Sequence, residues 1–291
     1  MKTRTLLELG RVSNLPTVVS NVLCGAALAG ASPRSTPLAL AVVAGSLFYV
    51  GGMFLNDAFD AAVDAKERPE RPIPSGRARR DTVLGIGFGL LAAGLTLLIV
   101  GIFFTPAGVA LPLVGALTAA AVVVYDRWHK GFALSPVVMG LCRAGLYLMG
   151  AFAVSAEPDY GVFVAAFTLL LYVVGLTHIA RFENASVVGR AWPTVLVFSP
   201  LALALAQPIA RVHAGRPLLA LAVVSALWSL RSLRFARAGG RNIGRAVVTL
   251  IAGISLLDAV LAASREAFAL SALAIACFAL TLAGQRAIRG T

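Results

Sequence analysis

The sequence predicts an all-α fold, a polytopic membrane helical bundle of nine or ten transmembrane helices, and three observations carry that expectation. Of 291 residues, 59% are hydrophobic and only 13% charged, with a mean hydropathy of +0.86, whereas soluble chains run at about 45–50% apolar and about 25% charged. So little polar surface cannot cover a molecule in water, and most of the chain must face lipid. The apolar residues fall into long segments, and the basic residues gather in alternate connections between them. Disorder is excluded, because disordered chains are poor in aliphatics. With 28 glycines that follow no three-residue period and only three cysteines, collagen and disulfide scaffolds are excluded too. Cys24, Cys142 and Cys277 lie far apart in apolar surroundings and read as small buried hydrophobes.

A hydrocarbon core about 30 Å thick takes about 20 apolar residues in a helix. The candidate spans run, in order, from 15 to 31, 38 to 55, 83 to 104, 107 to 124, 134 to 154, 162 to 179, 192 to 209, 218 to 230, 246 to 263 and 268 to 283. An open sheet leaves its backbone unsatisfied in lipid, and the alternation of an outer-membrane barrel is missing, so all are expected to be helices. The eighth is short and the last two are divided only by residues 264 to 267, which leaves nine helices as the alternative. No removable signal peptide is expected after Lys2 and Arg4, and residues 1–291 read as one domain. One side of the bundle receives Arg34, Arg211, Arg216 and Arg265, Arg143 lies within a span, and every other Lys and Arg falls on the opposite side. By the positive-inside rule that side is cytoplasmic, with the N-terminus and the aspartate loop, as in a bacterial inner membrane. The net charge of +12 is then mostly topology, and no nucleic-acid partner is expected.

The connection after the second span carries the chemistry. Asp57, Asp60 and Asp64 are spaced by three and four, share a helical face, and are flanked by Asn56. Three carboxylates on one face repel, and a solvated helix end is the bland explanation. A cation relieves the repulsion, and Mg²⁺ takes hard oxygens, typically one or two carboxylates plus phosphate and water. Next comes Arg68-Pro69-Glu70-Arg71-Pro72-Ile73-Pro74-Ser75-Gly76-Arg77. Its prolines end the helix and stiffen the turn, so Arg68 and Arg71 can point back at the stripe and grip a phosphate. An acidic stripe beside a rigid basic loop suggests a diphosphate held through Mg²⁺.

On Asn56-Asp57-x-x-Asp60-x-x-x-Asp64, the following Arg71-Pro72-Ile73-Pro74-Ser75-Gly76 and the helix layout, the chain resembles the UbiA superfamily of intramembrane prenyltransferases. The resemblance implies a bundle around a central cavity opening to the lipid, and Asn56, Asp57, Asp60 and Asp64 as ligands of Mg²⁺ and an isoprenyl diphosphate. It further implies that Lys130 touches the phosphate and that Arg11 and Asn14 join it. The isoprenyl group would pass to a small hydrophobic acceptor, aromatic or lipid-like, within the membrane lipid. The allyl cation needs a dry pocket, for which Phe54, Phe59, Tyr147 and Tyr172 are candidate aromatic walls, although packing explains such residues more often.

The family's second aspartate motif is altered here, to Thr177-His178-Ile179-Ala180-Arg181-Phe182-Glu183-Asn184. Three readings stand: Glu183 holds a second Mg²⁺ with Asn184 assisting, Arg181 replaces that metal's charge, or diphosphate ionisation is lost. Such a pattern resembles divergent UbiA-like proteins of bacterial secondary-metabolite clusters. His178 is a candidate base or a capped helix-end histidine. Arg143, inside a span, should face the cavity and bind substrate, and Asp258 should pair with a basic side chain. The alternative to an enzyme is a UbiA-like transporter or lipid-binding protein, which an inverted repeat would favour; none is visible.

Overall fold

The computed structural model describes residues 1–31, 35–181, 192–206 and 215–288. Among them all regular structure is helical, as a chain in lipid requires, since only a helix satisfies its backbone within one segment. A short helix α1 (Thr3–Leu9) and a single turn over Val12–Asn14 lead into α2 (Leu15–Leu28). There follow α3 (Thr36–Phe59), α4 (Ala61–Glu67), α5 (Arg80–Gly101), α6 (Ala110–Trp128), α7 (Ser135–Val154) and α8 (Tyr160–Arg181). The last elements are α9 (Trp192–Leu196), α10 (Ser199–Ala206), α11 (Gly215–Arg237), α12 (Arg241–Ser264) and α13 (Phe268–Ala287).

Eight described helices are long and apolar enough to cross a bilayer, and two shorter apolar stretches, Val12–Leu28 and Trp192–Ala206, stand with them. The seventh expected span is thus two short helices, and α10 restarts with Pro200 near its beginning, where a missing N–H costs nothing. The eighth is longer than expected, since α11 continues past Leu230 through three arginines to Arg237. The last two spans are separate helices: Glu266 takes a left-handed φ of 60° in the turn between them. At one end of the bundle Arg265 pairs with Asp159 at 3.0 Å. At the other, Gln285 near the end of α13 donates to Asn14 at 2.9 Å, so the start of α2 and the end of α13 meet at one face of the bundle.

α12 is the axial helix, its membrane window 83% buried, while α5, α6 and α13 show most of theirs to lipid. The tightest crossing joins α2 and α7. A Cβ at Gly25 would overlap the Tyr147 carbonyl, and one at Gly150 the Val22 carbonyl, so glycine at both positions lets the backbones touch. This seam sets Asn21 of α2 opposite Arg143 of α7.

Candidate active site

The aspartate stripe forms as expected, with a bend. α3 ends at Phe59 and α4 begins at Ala61, with Asp60 between them at φ −83°, ψ −3°. The amide of Asp60 still bonds the Asn56 carbonyl and that of Asp64 bonds the Asp60 carbonyl, so the acidic face is continuous. Asn56, Asp57, Asp60 and Asp64 are all buried. α4 stops at Glu67, ahead of Pro69, and the basic loop turns through Gly76 at φ +75°.

Cations from three directions answer these carboxylates. Arg11, before α2, donates to Asp57 Oδ1 at 3.0 Å and to Asn56 Oδ1 at 3.4 Å. Arg71 folds back to Asp64 Oδ2 at 2.8 Å and lies 3.5 Å from Asp57. After α6, Lys130 Nζ is 2.9 Å and His129 Nε2 3.5 Å from Asp60. Burial works against the charge of Asp60, but hydrogen bonds from His129 and Lys130 outweigh it and hold its carboxyl below the usual carboxylate range. Burial also opposes the charge of Arg11, and the attraction of Asp57 overcomes it, raising the guanidinium above its ordinary value.

Of these groups Arg11, Asp57 and Arg71 line a cavity of about 1080 Å³, whereas Asn56, Asp60, Asp64, His129 and Lys130 stand outside its lining. Arg11, Asp57, Arg68 and Arg71 line its polar mouth, and Phe48, Val122, Leu146, Val173 and Ile254 line its apolar depth. Asn14 lines the mouth beside Gln285, and Arg143 lies deeper, on Thr17 and Asn21. Arg181 and His178 stand outside the lining. Arg181 donates to the Phe132 carbonyl at 3.1 Å and to Ser135 Oγ at 2.6 Å, and His178 meets the Trp192 ring edge-on at 4.6 Å. Glu183 and Asn184 lie outside the described residues.

Sequence reasoning passed over Asp126. It is 3% exposed and lines the cavity; its Oδ1 accepts from Asn56 at 3.3 Å, while its Oδ2 is buried without a partner among the described residues. An acid next to the Arg127 to Lys130 cluster at a span end was the available signal. The four candidate aromatic walls follow the packing explanation, and none lines the cavity. The Tyr147 and Tyr172 hydroxyls bond Asp258 and the Leu250 carbonyl, Phe54 packs with Leu9 and Ala58, and Phe59 lies under Arg127. The rings lining the cavity are Phe48, Tyr49 and Tyr125. Among the described residues Asp258 has no direct basic partner: Ser20, Asn21 and Tyr147 hold it.

Among the described residues no three acidic, His or Cys side chains close into a ready-made metal cage. The donor set still fits Mg²⁺. Asp57 and the unpartnered Asp126 oxygen are hard ligands at the mouth, and such an ion takes its remaining ligands from phosphate and water.

Fold and site together define a multi-pass helical membrane protein with a charged mouth over an apolar cavity. The UbiA prenyltransferase family model matches residues 18–242, and the chain belongs to that family. A digeranylgeranylglyceryl phosphate synthase of Methanopyrus kandleri is 31% identical over 269 residues, covering 87% of this chain and 96% of that protein. One of Ignicoccus hospitalis is 39% identical over 130 residues, 44% of this chain, and there the chain spans only 39% of the relative's length. A solved structure of a digeranylgeranylglyceryl phosphate synthase in membranes shares the fold over 90% of this chain and 97% of that one, with a TM-score of 0.64 and 17% identity.

Proposed function

We propose that this chain transfers an isoprenyl group from its diphosphate to a lipid-like acceptor, dependent on Mg²⁺, at the end of the bundle that faces the cytoplasm. The observation that carries the reading is the order of the cavity: Arg11, Asp57, Arg71 and Asp126 at the mouth, and an apolar wall beyond. A diphosphate fits the first and an isoprenyl tail the second. The names of the relatives favour a glyceryl phosphate type of acceptor over an aromatic one. The position of the aspartates at the end of a span, not at its middle, weighs against transport.

Bound Mg²⁺ would supply charge neutralisation on the diphosphate, with Asp57, Asp60, Asp64, Asn56 and Asp126 the residues to hold it. Arg11 and Arg71, which line the cavity, are set to bind the diphosphate oxygens, and Lys130 holds Asp60 from outside the lining. The allylic C–O bond breaks with its electron pair on the pyrophosphate, where these cations meet the charge as it develops. The acceptor's nucleophilic atom then bonds the allylic carbon and releases its proton to a pyrophosphate oxygen. Phe48, Leu146 and Ile254 keep water from the cation. Glu183 and Asn184, which follow α8 in the sequence, are set to read the acceptor with His178 and Arg181 of α8; Arg68 stands at the entrance.

The test is release of pyrophosphate from labelled isoprenyl diphosphates of several lengths by detergent-purified protein with Mg²⁺ and membrane lipid extract. Wild type should turn over, and Asp57→Ala and Asp60→Ala should each lose about a hundredfold or more. No release at any length, with diphosphate binding unchanged in both variants, overturns the reading.

A further inference from the structure

Arg143 stands apart from the charges at the mouth. It lines the cavity among Phe48, Leu146 and Ile254, where the wall is apolar. Its Nη1 donates to Thr17 Oγ1 at 3.0 Å and to Asn21 Oδ1 at 2.9 Å, and its guanidinium carbon lies 5.8 Å from the centre of the Tyr49 ring. Asn21 turns its amide nitrogen the other way, toward Asp258 Oδ1 at 3.2 Å and Oδ2 at 3.0 Å. Asp258, fully buried on α12, also accepts from Ser20 and from Tyr147, each at 2.5 Å. Its counter-charge is thus one amide away. Flipping Asn21 would set oxygen against carboxylate and NH₂ against guanidinium, so Asp258 fixes the amide and the amide fixes Arg143.

A charge pair serving packing alone gains most in direct contact, because desolvation in the bilayer is costly. Here the pair is held apart. Among the described residues both hydrogen bonds of the guanidinium leave from Nη1, and of its five N–H donors those on Nε and Nη2 remain for the cavity. An unanswered guanidinium there would also repel an allyl cation forming nearby. The geometry points to Arg143 as a second anion-binding site, taking the phosphate or carboxylate head of the acceptor, with Asp258 as a positioning residue acting through Asn21. The inference deepens the transfer reading and rests on it, since a second anion is needed only where a second substrate enters.

The test is thermal unfolding of purified protein in non-ionic detergent, with the mouth first saturated with Mg²⁺ and inorganic pyrophosphate. Dodecyl phosphate, sodium laurate and dodecanol are then titrated as probes. In wild type at least one of the two anions should stabilise saturably on top of pyrophosphate, and dodecanol should not. In Arg143→Gln the half-saturating concentration of that anion should rise about tenfold or more, as loss of a charged hydrogen bond implies. Arg143→Lys, which keeps the charge, should retain part of the response. Asp258→Asn should weaken the anion's response while leaving that of pyrophosphate in place, which a merely structural role would not do. If neither anion stabilises wild type, or Arg143→Gln responds as wild type does, the inference is overturned. Loss of the pyrophosphate response in wild type would instead defeat the transfer reading, so the two failures are distinguishable.

Discussion

The mouth and the middle of the cavity handle charge in opposite ways. At the mouth, Asp57, Asp60 and Asp64 each touch a cation directly, and Arg11, Arg71 and Lys130 come from three separate stretches of chain. Halfway down, Arg143 and Asp258 are held apart by Asn21, and three packed helices supply every group. The contrast separates two tasks. Direct pairs at the mouth can be exchanged when a diphosphate arrives, whereas a pair bridged between packed helices keeps its geometry because each member is fixed by the next.

The largest effects should break that contrast at its two centres. Asp57→Ala removes a carboxylate next to the cavity mouth and should cost turnover far more than stability. Asp258→Ala leaves the Asn21 amide nitrogen and the Tyr147 hydroxyl without their acceptor and Arg143 without its counter-charge, and should lower unfolding stability by about 3–5 kcal/mol. Denaturation of both variants in one detergent, alongside pyrophosphate release, checks the separation; equal destabilisation would mean that the two regions do the same work. Next is the seam that sets the bridge. Gly25→Ala or Gly150→Ala forces α2 away from α7 and should cost about 1–3 kcal/mol, a loss that a paired Gly85→Ala, at an open position, should not share. Smaller again is Arg71→Gln. Arg11 still holds Asp57, so the KM for the diphosphate should rise about tenfold with a lesser change in kcat.

How far this was legible follows from sequence distance. The aspartate stripe lies on one face because residues three and four apart must, and the prolines of the next segment announce the turn that brings Arg71 back. Alternate loop charge exposed the bundle's two ends. By contrast, Asn21 and Asp258 are separated by most of the chain, and only the packing of α12 on α2 makes them neighbours. Asp126 was hidden for a related reason: a single acid among arginines looks like a counter-ion until the cavity reveals its unpartnered oxygen. The short α1 escaped because its seven residues are too few to show a helical period.

The smallest effect sharpens the contrast from the water side. Glu8 of α1 accepts from Arg77 at 2.6 Å and from Arg4 at 3.2 Å, tying α1 to the basic loop at the mouth. The hydrogen bond from Arg77 is the main reason its carboxyl lies below the ordinary value of 4.5. A carboxyl with a depressed folded pKa binds protons more readily in the unfolded chain. Its contribution is therefore present above about pH 4.5 and is lost as pH falls through the lower folded value. An exposed pair of this kind is worth about 0.2–1 kcal/mol. Glu8→Gln should thus be slightly less stable than wild type at neutral pH, and the two should converge on acidification, with added salt shrinking the gap in the same direction. The bridged pair in the bilayer should ignore that salt, because Asn21 and Asp258 are fully buried. If salt moves the Asp258→Ala difference as much as the Glu8→Gln one, the middle of the cavity is wet, and the distinction between its two levels fails.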